Sequence, residues 1–531
     1  MSAATDVADA GSSARSAHWV AAGILVSRIT GLLRDTATAV YLGTSPFASI
    51  FRAALRMPNV LQNLLGEGTL SASFIPVYAE LLEQGREEEA GRVAGAVFAL
   101  VLAVAGGLAL LGILLAPALV DIFLPGFEGA QRELTIASVR IIFPMTGVLV
   151  LSAWALGILN SHRRFFLPYV APVVWNAAII GTFILVGGRV DDRRLVIALA
   201  WGALVGGLLQ FGIQLPWVVR VERRLKVAWD TRLAGVRTAV RNAGPAILGR
   251  GVVQLSGWVD LALSSLLWGG ALAVLSYAQT FYMLPISLFG MSVAAAELPE
   301  LARQRTGAAE ALRARTNAGL RRIALLVVPS VVGYLTLGDV VVAALYQHGQ
   351  FAKADTVVVA LTLAGYAIGL LASTATRLFS STFYALHDTR TPARIAFVRV
   401  VLAAALGAAL MFPLERVAVL GRPLGTAGLS LGAGLAAWVE WALLRRTLRS
   451  RIGPVGAGTR PIAAMIVAAL CAAALARALL LVLPPLHPIL TAVVILGPYG
   501  LLFFTFAHAL RVEEASRVAR GALSVLRGAR G

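Results

Sequence analysis

Cysteine is almost missing from this chain: one residue, Cys471, in 531. A disulfide framework and a thiolate zinc site are both excluded. The six histidines are scattered, and no two share a helical face at ligand spacing, so no metal site is expected. Lysine is scarcer than histidine, with Lys226 and Lys353 the only two. No glycine-rich loop ends in a phosphate-binding lysine, so nothing points to ATP-driven work. Charge of either sign is also thin, at 14% of residues against 58% apolar, with a mean hydropathy of +0.80. A soluble chain of this length cannot cover its surface with so little polarity. The composition is that of an all-α protein that crosses the membrane many times.

What charge there is leans one way, 46 basic residues against 27 acidic, a formal net charge of +19. The basic residues lie between apolar segments and form no single face. That is the pattern of membrane topology, not of nucleic-acid binding. About 20 apolar residues cross a bilayer as helix. Fourteen such spans can be placed, at about 18–41, 47–72, 93–120, 134–160, 165–187, 195–219, 242–267, 271–299, 323–346, 355–385, 395–413, 424–444, 461–483 and 489–510. Residues 1–17, polar and without a basic leader, read as a cytoplasmic tail before an uncleaved first span. On that assignment the inner segments hold 30 Arg and Lys, the outer loops 7, and nine lie within spans. The positive-inside rule then puts both termini in the cytoplasm of a multi-pass membrane protein. The basic segments 220–232 and 302–322 read as topology determinants beside anionic lipid.

The chain also reads as duplicated. Pro58 and Pro285 are 227 residues apart, Pro76 and Pro299 are 223 apart, and Pro168 and Pro392 are 224 apart. Gly31 and Gly257, each followed closely by an aspartate (Asp35, Asp260), are offset by 226. Two pseudo-symmetric six-helix lobes are expected, residues 18–219 and 242–450, joined by a basic cytoplasmic linker at 220–241. Two further helices occupy 451–510, and 511–531 reads as a basic amphipathic tail. Paired bundles of this kind permit alternating access, so the architecture is that of a transporter rather than an enzyme.

Charged residues within spans sharpen this reading. Arg52, Arg140, Arg399 and Arg477 lie near helix ends, where snorkelling to the headgroups accounts for them. Arg28, Arg34, Arg250 and Arg377 lie deeper, where a charge costs roughly 2.5–3.5 kcal/mol and needs a partner or a wet cavity. Arg28 and Asp35, seven residues apart, share a helical face, whereas Asp35 points about 100° away from Arg34. Interhelical ion pairing and a hydrated cationic cavity both fit. Arginine suits the second, because its fork binds phosphate oxygens bidentately and stays charged at any relevant pH.

The chain carries motifs that resemble the MurJ/MviN family. They are "SRITGLLRD" (Ser27–Asp35), "MPNVLQNLLGEGTLSASFIPVYAE" (Met57–Glu80), "GPAILG" (Gly244–Gly249) and "FYALHDTRTPARIA" (Phe383–Ala396). Members of that family flip lipid II, the lipid-linked peptidoglycan precursor, across the bacterial inner membrane, and they belong to the wider multidrug/oligosaccharidyl-lipid/polysaccharide exporter superfamily. The resemblance implies fourteen helices, a cationic cavity for the diphosphate-sugar headgroup, and a groove at the last two helices for the polyprenyl tail. It implies headgroup-binding roles for Arg28, Arg34, Arg56 and Arg377. Arg250, a deep arginine where apolar residues would suffice, is expected to supply charge from another wall. Asp35, Pro58, Asn59, Glu67, Asp260 and Asp388 would support or gate the cavity. The expected partners are lipid II or a similar polyprenyl-diphosphate glycan, membrane lipids and the cell-wall synthesis machinery. No cofactor is expected; membrane potential or an ion gradient, with a monovalent cation as one option, would drive the cycle. The chain departs from the family pattern at Gln62, Ser49, Gln279 and Thr280, where charged residues are usual. A flippase for another lipid-linked glycan, or a cation-coupled drug exporter of the same superfamily, are the alternative readings.

Overall fold

In a computed structural model the chain is described at residues 2–290 and 309–517. Side chains at 2–21, 60, 61, 67, 246, 248–256 and 290 lie outside that description. Pro299 of the repeat, residues 302–308 of the second basic segment and residues 518–531 of the tail therefore also fall outside the described residues.

Contacts divide the chain into two units, Met1–Gly270 and Ala271–Gly531. The first holds α1 (Ser2–Leu42), α2 (Pro46–Leu65), α3 (Glu67–Ser73), α4 (Ile75–Glu83), α5 (Glu87–Leu114), α6 (Ala116–Phe123), α7 (Gly129–Ser161), α8 (Phe166–Val186), α9 (Asp192–Val221) and α10 (Ala234–Ser265). The second holds α11 (Ala271–Pro285) with a π-helical turn at Ile286–Gly290, α12 (Ala309–Tyr346), α13 (Lys353–Ala385), α14 (Arg390–Glu415), α15 (Gly425–Ile452), α16 (Thr459–Val482) and α17 (Pro488–Ala509). A two-residue hairpin, β1 (Ala418–Val419) and β2 (Arg422–Pro423), links α14 to α15.

Every expected span finds a helix, and eleven helices among the described residues are long and apolar enough to cross a membrane. The first, second and seventh spans, on α1, α2 and α10, are not among those eleven. They are the ones that carry Arg28, Arg34, Arg52, Arg56, Arg250 and the aspartates 35 and 260. The helices that fall short of that length and composition are those where charge is concentrated. The expected tail 1–17 is helical: α1 starts at Ser2, in keeping with the alanines at 3, 4, 8 and 10, the best helix formers.

The irregular second span is two helices. Gly66 separates α2 from α3, and a Cβ there would sit 2.3 Å from the Gln62 carbonyl oxygen, so only glycine can turn the chain at this point. In the second unit the corresponding proline, Pro285, is likewise followed by a departure from α geometry, the π-helical turn. Packing repeats as well. In the first unit α9 packs on α7 and α8, and in the second α15 packs on α13 and α14. The glycines of "GLSLGAGLAAW" (Gly428–Trp438) allow close approach: a Cβ on Gly434 would fall 2.6 Å from the Gly365 oxygen of α13, and one on Gly432 2.4 Å from the Gly407 nitrogen of α14. The seventh helix, α10, packs against α2 to α6 and lies within the first unit, although the repeat counts it as the first helix of the second half.

Each unit has its own apolar core. In the first, Phe74, Val93, Trp154 and Ile158 gather where α3, α4, α5 and α7 meet. In the second, Met465 and a stripe of small residues, Ala468, Ala472 and Ala476, lie on α16 against α12 and α17.

Candidate functional site

The first unit carries a compact polar group in its membrane-spanning part, built on α1, α2 and α8. Asp35 on α1 is buried, 7% exposed. Arg34 does not stay on its own face. Its long side chain folds back so that Nη2 lies 3.0 Å from Asp35 Oδ1. Arg52 of α2 reaches the same oxygen at 3.4 Å. One carboxylate thus serves two guanidinium groups. Arg34 Nη1 also donates to Asn176 Oδ1 of α8 at 3.2 Å, and its guanidinium lies 5.0 Å from the Trp175 ring centroid. Asn176 in turn donates to Thr30 Oγ1 at 3.1 Å, closing the group back onto α1. Two cations on one carboxylate leave a local excess of positive charge, which is the electrostatic condition for holding an anion.

Arg52 was expected at the headgroups and is instead a member of this group. Nothing in the sequence could pair it with Asp35, because the pairing depends on how α1 meets α2. Asn176 and Trp175 carried a faint signal, a lone amide beside an indole in the otherwise apolar fifth span. The same correction applies to two more helix-end arginines. Arg399 of α14 pairs with Glu440 of α15 at 3.0 Å, and Arg477 of α16 pairs with Asp339 of α12 at 2.7 Å while its Nε donates to the Thr336 oxygen. In each case the partner sits on a neighbouring helix.

The remaining predicted positions are distributed differently. Arg28 is on the exposed face of α1. Arg56 is half-buried on α2, and its Nη2 lies 3.4 Å from where a Cβ on Gly257 of α10 would be. Asp260 is half-buried one turn further along α10. Pro58 is buried within α2, and Asn59 beside it is exposed. The side chains of Glu67 and Arg250, at the start of α3 and within α10, lie outside the described residues. Gln62, the neutral replacement, is half-buried on α2.

In the second unit Arg377 lines a cavity of about 470 Å³ together with Tyr282, Ser373, Ser380, Arg399 and Glu440. Tyr282 donates to Ser373 Oγ at 2.8 Å on one wall, and the buried Glu440 holds Arg399 on another. Gln279, where a charged residue is usual, donates to the Tyr366 hydroxyl at 2.9 Å, and Thr280 donates to the Ser276 carbonyl at 3.2 Å, so both sites are satisfied as neutral hydrogen bonds. Asp388 does not line this cavity. It sits in the α13–α14 loop, accepting from the Thr391 N–H and hydroxyl at 2.9 and 2.7 Å and pairing with Arg451 at 2.6 Å. Those Thr391 bonds, with Arg451 beside them, hold its carboxyl below the usual range.

The family model described as lipid II flippase MurJ matches residues 38–503. The chain belongs to the lipid II flippase MurJ family. Lipid II flippase MurJ of Burkholderia cenocepacia is 31% identical over 434 residues, covering 80% of this chain and 82% of that protein. A probable lipid II flippase MurJ of Rhizobium meliloti is 31% identical over 436 residues, covering 81% and 79%. Among solved structures, lipid II flippase MurJ in an inward closed conformation aligns with a TM-score of 0.73 at 21% identity, over 92% of this chain and 99% of that one. An inward-facing multidrug resistance MATE family transporter of the MOP superfamily aligns with a TM-score of 0.62 at 18% identity, over 80% and 94%. These two likenesses establish the transporter fold, a helical membrane protein of the MurJ and MATE type.

Proposed function

We propose that this protein flips lipid II from the cytoplasmic to the outer leaflet of the bacterial inner membrane by alternating access, with both termini in the cytoplasm. Family membership supports the cargo. The observation that carries the headgroup assignment is the pairing of two arginines, Arg34 and Arg52, on the single carboxylate of Asp35. A diphosphate entering beside them meets fixed cations in a low-dielectric setting, where each charge-assisted hydrogen bond counts for more than in water. Arg377 gives the second unit a cationic, hydroxyl-lined cavity of its own. Arg28 and Arg56 extend the basic character of α1 and α2, and Arg250 adds to that of α10. The small-residue packing of α16 and α17 on α12 leaves Leu481, Val482 and Val493 exposed as an apolar face for the polyprenyl tail. Membrane potential or an ion gradient drives the cycle, and no enzymatic step is involved.

The neutral residues Gln62, Gln279 and Thr280 favour one other reading, a flippase for a different polyprenyl-diphosphate glycan. Complementation of a bacterium depleted of its lipid II flippase separates the two. Growth restored by the wild-type chain and lost with Arg34→Gln, at equal membrane abundance, supports lipid II. No growth from an abundant, folded chain, together with restored export of another surface glycan in a suitable mutant, overturns lipid II as the cargo.

A further inference from the structure

The loop between α7 and α8 and the loop between α13 and α14 are the same structure, 224 residues apart. Arg163 and His387 both take a left-handed conformation, with φ of 56° and 58°. The amide after each closes a six-residue turn, Arg164 N to Leu159 O at 2.8 Å and Asp388 N to Phe383 O at 2.9 Å. The next helices start in register, α8 at Phe166 and α14 at Arg390. A helix start carries partial positive charge and unsatisfied N–H groups. In the second unit that need is met from within, because Asp388 accepts from the Thr391 N–H.

The first unit has an arginine at the equivalent position. Arg164 replaces Asp388, Leu167 replaces Thr391, and α8 begins with no side-chain cap. In place of a carboxylate there is a cavity of about 540 Å³, lined by Arg163, Arg164, Phe165, Phe166, Leu167 and Trp217. Both arginines are exposed, and among the described residues neither has a carboxylate within ion-pair distance. Glu222, near the end of α9, is already engaged by the Tyr78 hydroxyl and the Arg224 N–H. The cavity therefore concentrates positive charge that its duplicate neutralises with its own carboxylate.

Its other wall is apolar and aromatic. Phe166 and Trp217 are 46% and 42% exposed, and the Arg220 guanidinium lies 5.4 Å from the Trp217 ring centroid. Exposed aromatic rings next to arginines, where two apolar helices end, mark the depth of lipid headgroups. A soluble anion would need only the arginines. A ligand that also covers Phe166, Leu167 and Trp217 must carry apolar chains with its negative charge.

We propose that this cavity is a binding site for the phosphodiester headgroup of an anionic glycerophospholipid, with Arg163 and Arg164 on the phosphate and the acyl chains along Phe166 and Trp217. The lipid supplies to α8 the anion that Asp388 supplies to α14. This site belongs to the α7–α8 loop and does not depend on which lipid-linked glycan the protein carries.

Native mass spectrometry of the full-length protein in detergent, titrated with phosphatidylglycerol or phosphatidylcholine, tests it. The wild-type chain is expected to retain phosphatidylglycerol in preference to phosphatidylcholine. The double variant Arg163→Gln/Arg164→Gln should lower the phosphatidylglycerol-bound fraction about tenfold. Arg446→Gln/Arg449→Gln, which removes two exposed arginines elsewhere, should leave it unchanged. Arg164→Asp installs the self-capping arrangement of the second unit. It should abolish lipid retention while leaving the thermal midpoint equal or higher, which separates lost binding from lost folding. Equal retention of the two lipids, or unchanged retention in the Arg163/Arg164 double variant, would overturn the proposal. So would displacement of the lipid by an equal concentration of glycerol phosphate, since that would make the cavity a site for free phosphate.

Discussion

Arg163 and His387 stand 224 residues apart in sequence and adopt the same left-handed backbone, a conformation that costs a non-glycine residue roughly 1–2 kcal/mol. The fold accepts that cost twice, which shows that the tight stop between consecutive helices is required in both halves. His387→Gly should therefore raise the thermal midpoint in detergent, by up to about 1 kcal/mol of stability. His387→Val should lower it by about 1–2 kcal/mol, because a β-branched side chain is a genuine outlier at positive φ. Both variants lose the imidazole, so their difference isolates the backbone term. Equal midpoints would show that the position imposes no left-handed geometry.

The duplication was readable because prolines and loop motifs mark fixed points of the backbone. Pro168 and Pro392 sit at matching places in α8 and α14, and the apolar runs located α8, α16 and α17 to within two residues at either end. The site was half readable. Arg34 and Asp35 announce themselves as charges in an apolar stretch, but the 100° between them on a helical wheel says nothing of how far a guanidinium can bend back. Arg52, Arg399 and Arg477 could not be read, because a helix-end arginine looks the same whether it snorkels or pairs. Only the packing of α1 on α2, α14 on α15 and α12 on α16 supplies Asp35, Glu440 and Asp339. Tyr78, His162 and Glu222 converge from α4, the end of α7 and the end of α9, and no local pattern joins them.

Asp35→Asn should be the most damaging single change in the first unit. It leaves Arg34 and Arg52, with side chains 20% and 13% exposed, without the carboxylate they share. Removing one side of a buried ion pair costs on the order of 3 kcal/mol. Arg52→Gln keeps the Arg34–Asp35 pair and should cost about 1 kcal/mol. Because Arg52→Gln also removes one of the stranded charges, the double variant should be more stable than additivity predicts, by about 0.5–3 kcal/mol. Strict additivity in thermal unfolding would show that Asp35 and Arg52 do not interact.

Gly66→Ala probes the break in the second span. The new methyl would meet the Gln62 carbonyl oxygen at 2.3 Å, a backbone atom that cannot swing aside. Relief requires α2 and α3 to change direction relative to each other, so stability should fall by at least about 2 kcal/mol, with complementation lost. Gly244→Ala, on α10 with no atom near its would-be Cβ, is the control and should be close to neutral. If both alanine variants behaved alike in thermal unfolding, the break would not depend on glycine.

The last prediction concerns pH and the Tyr78 hydroxyl. Tyr78 has one proton and gives it to Glu222 Oε2 at 2.6 Å, so at its contact with His162 Nε2, 2.9 Å away, the hydroxyl is the acceptor and Nε2–H the donor. The imidazole is thus held in one tautomer between a helix end and a buried carboxylate. Burial pushes the His162 pKa below its ordinary value near 6.5, and the negative charges of Glu222 and Glu87 oppose that shift without cancelling it. The unfolded chain, with the ordinary pKa, therefore binds the proton more readily than the folded one. Stability from this group is fully present above pH 6.5 and is lost as pH falls through the lower, folded-state pKa. His162→Gln keeps an N–H donor for Tyr78 and removes the titration. The drop in thermal midpoint between pH 7.5 and pH 5 should be smaller in the variant than in the wild type, by about 1–2 °C, because His162 is partly exposed and solvent screens the effect. A larger drop in the variant would mean that His162 gains stability on protonation, and the assigned direction would be wrong.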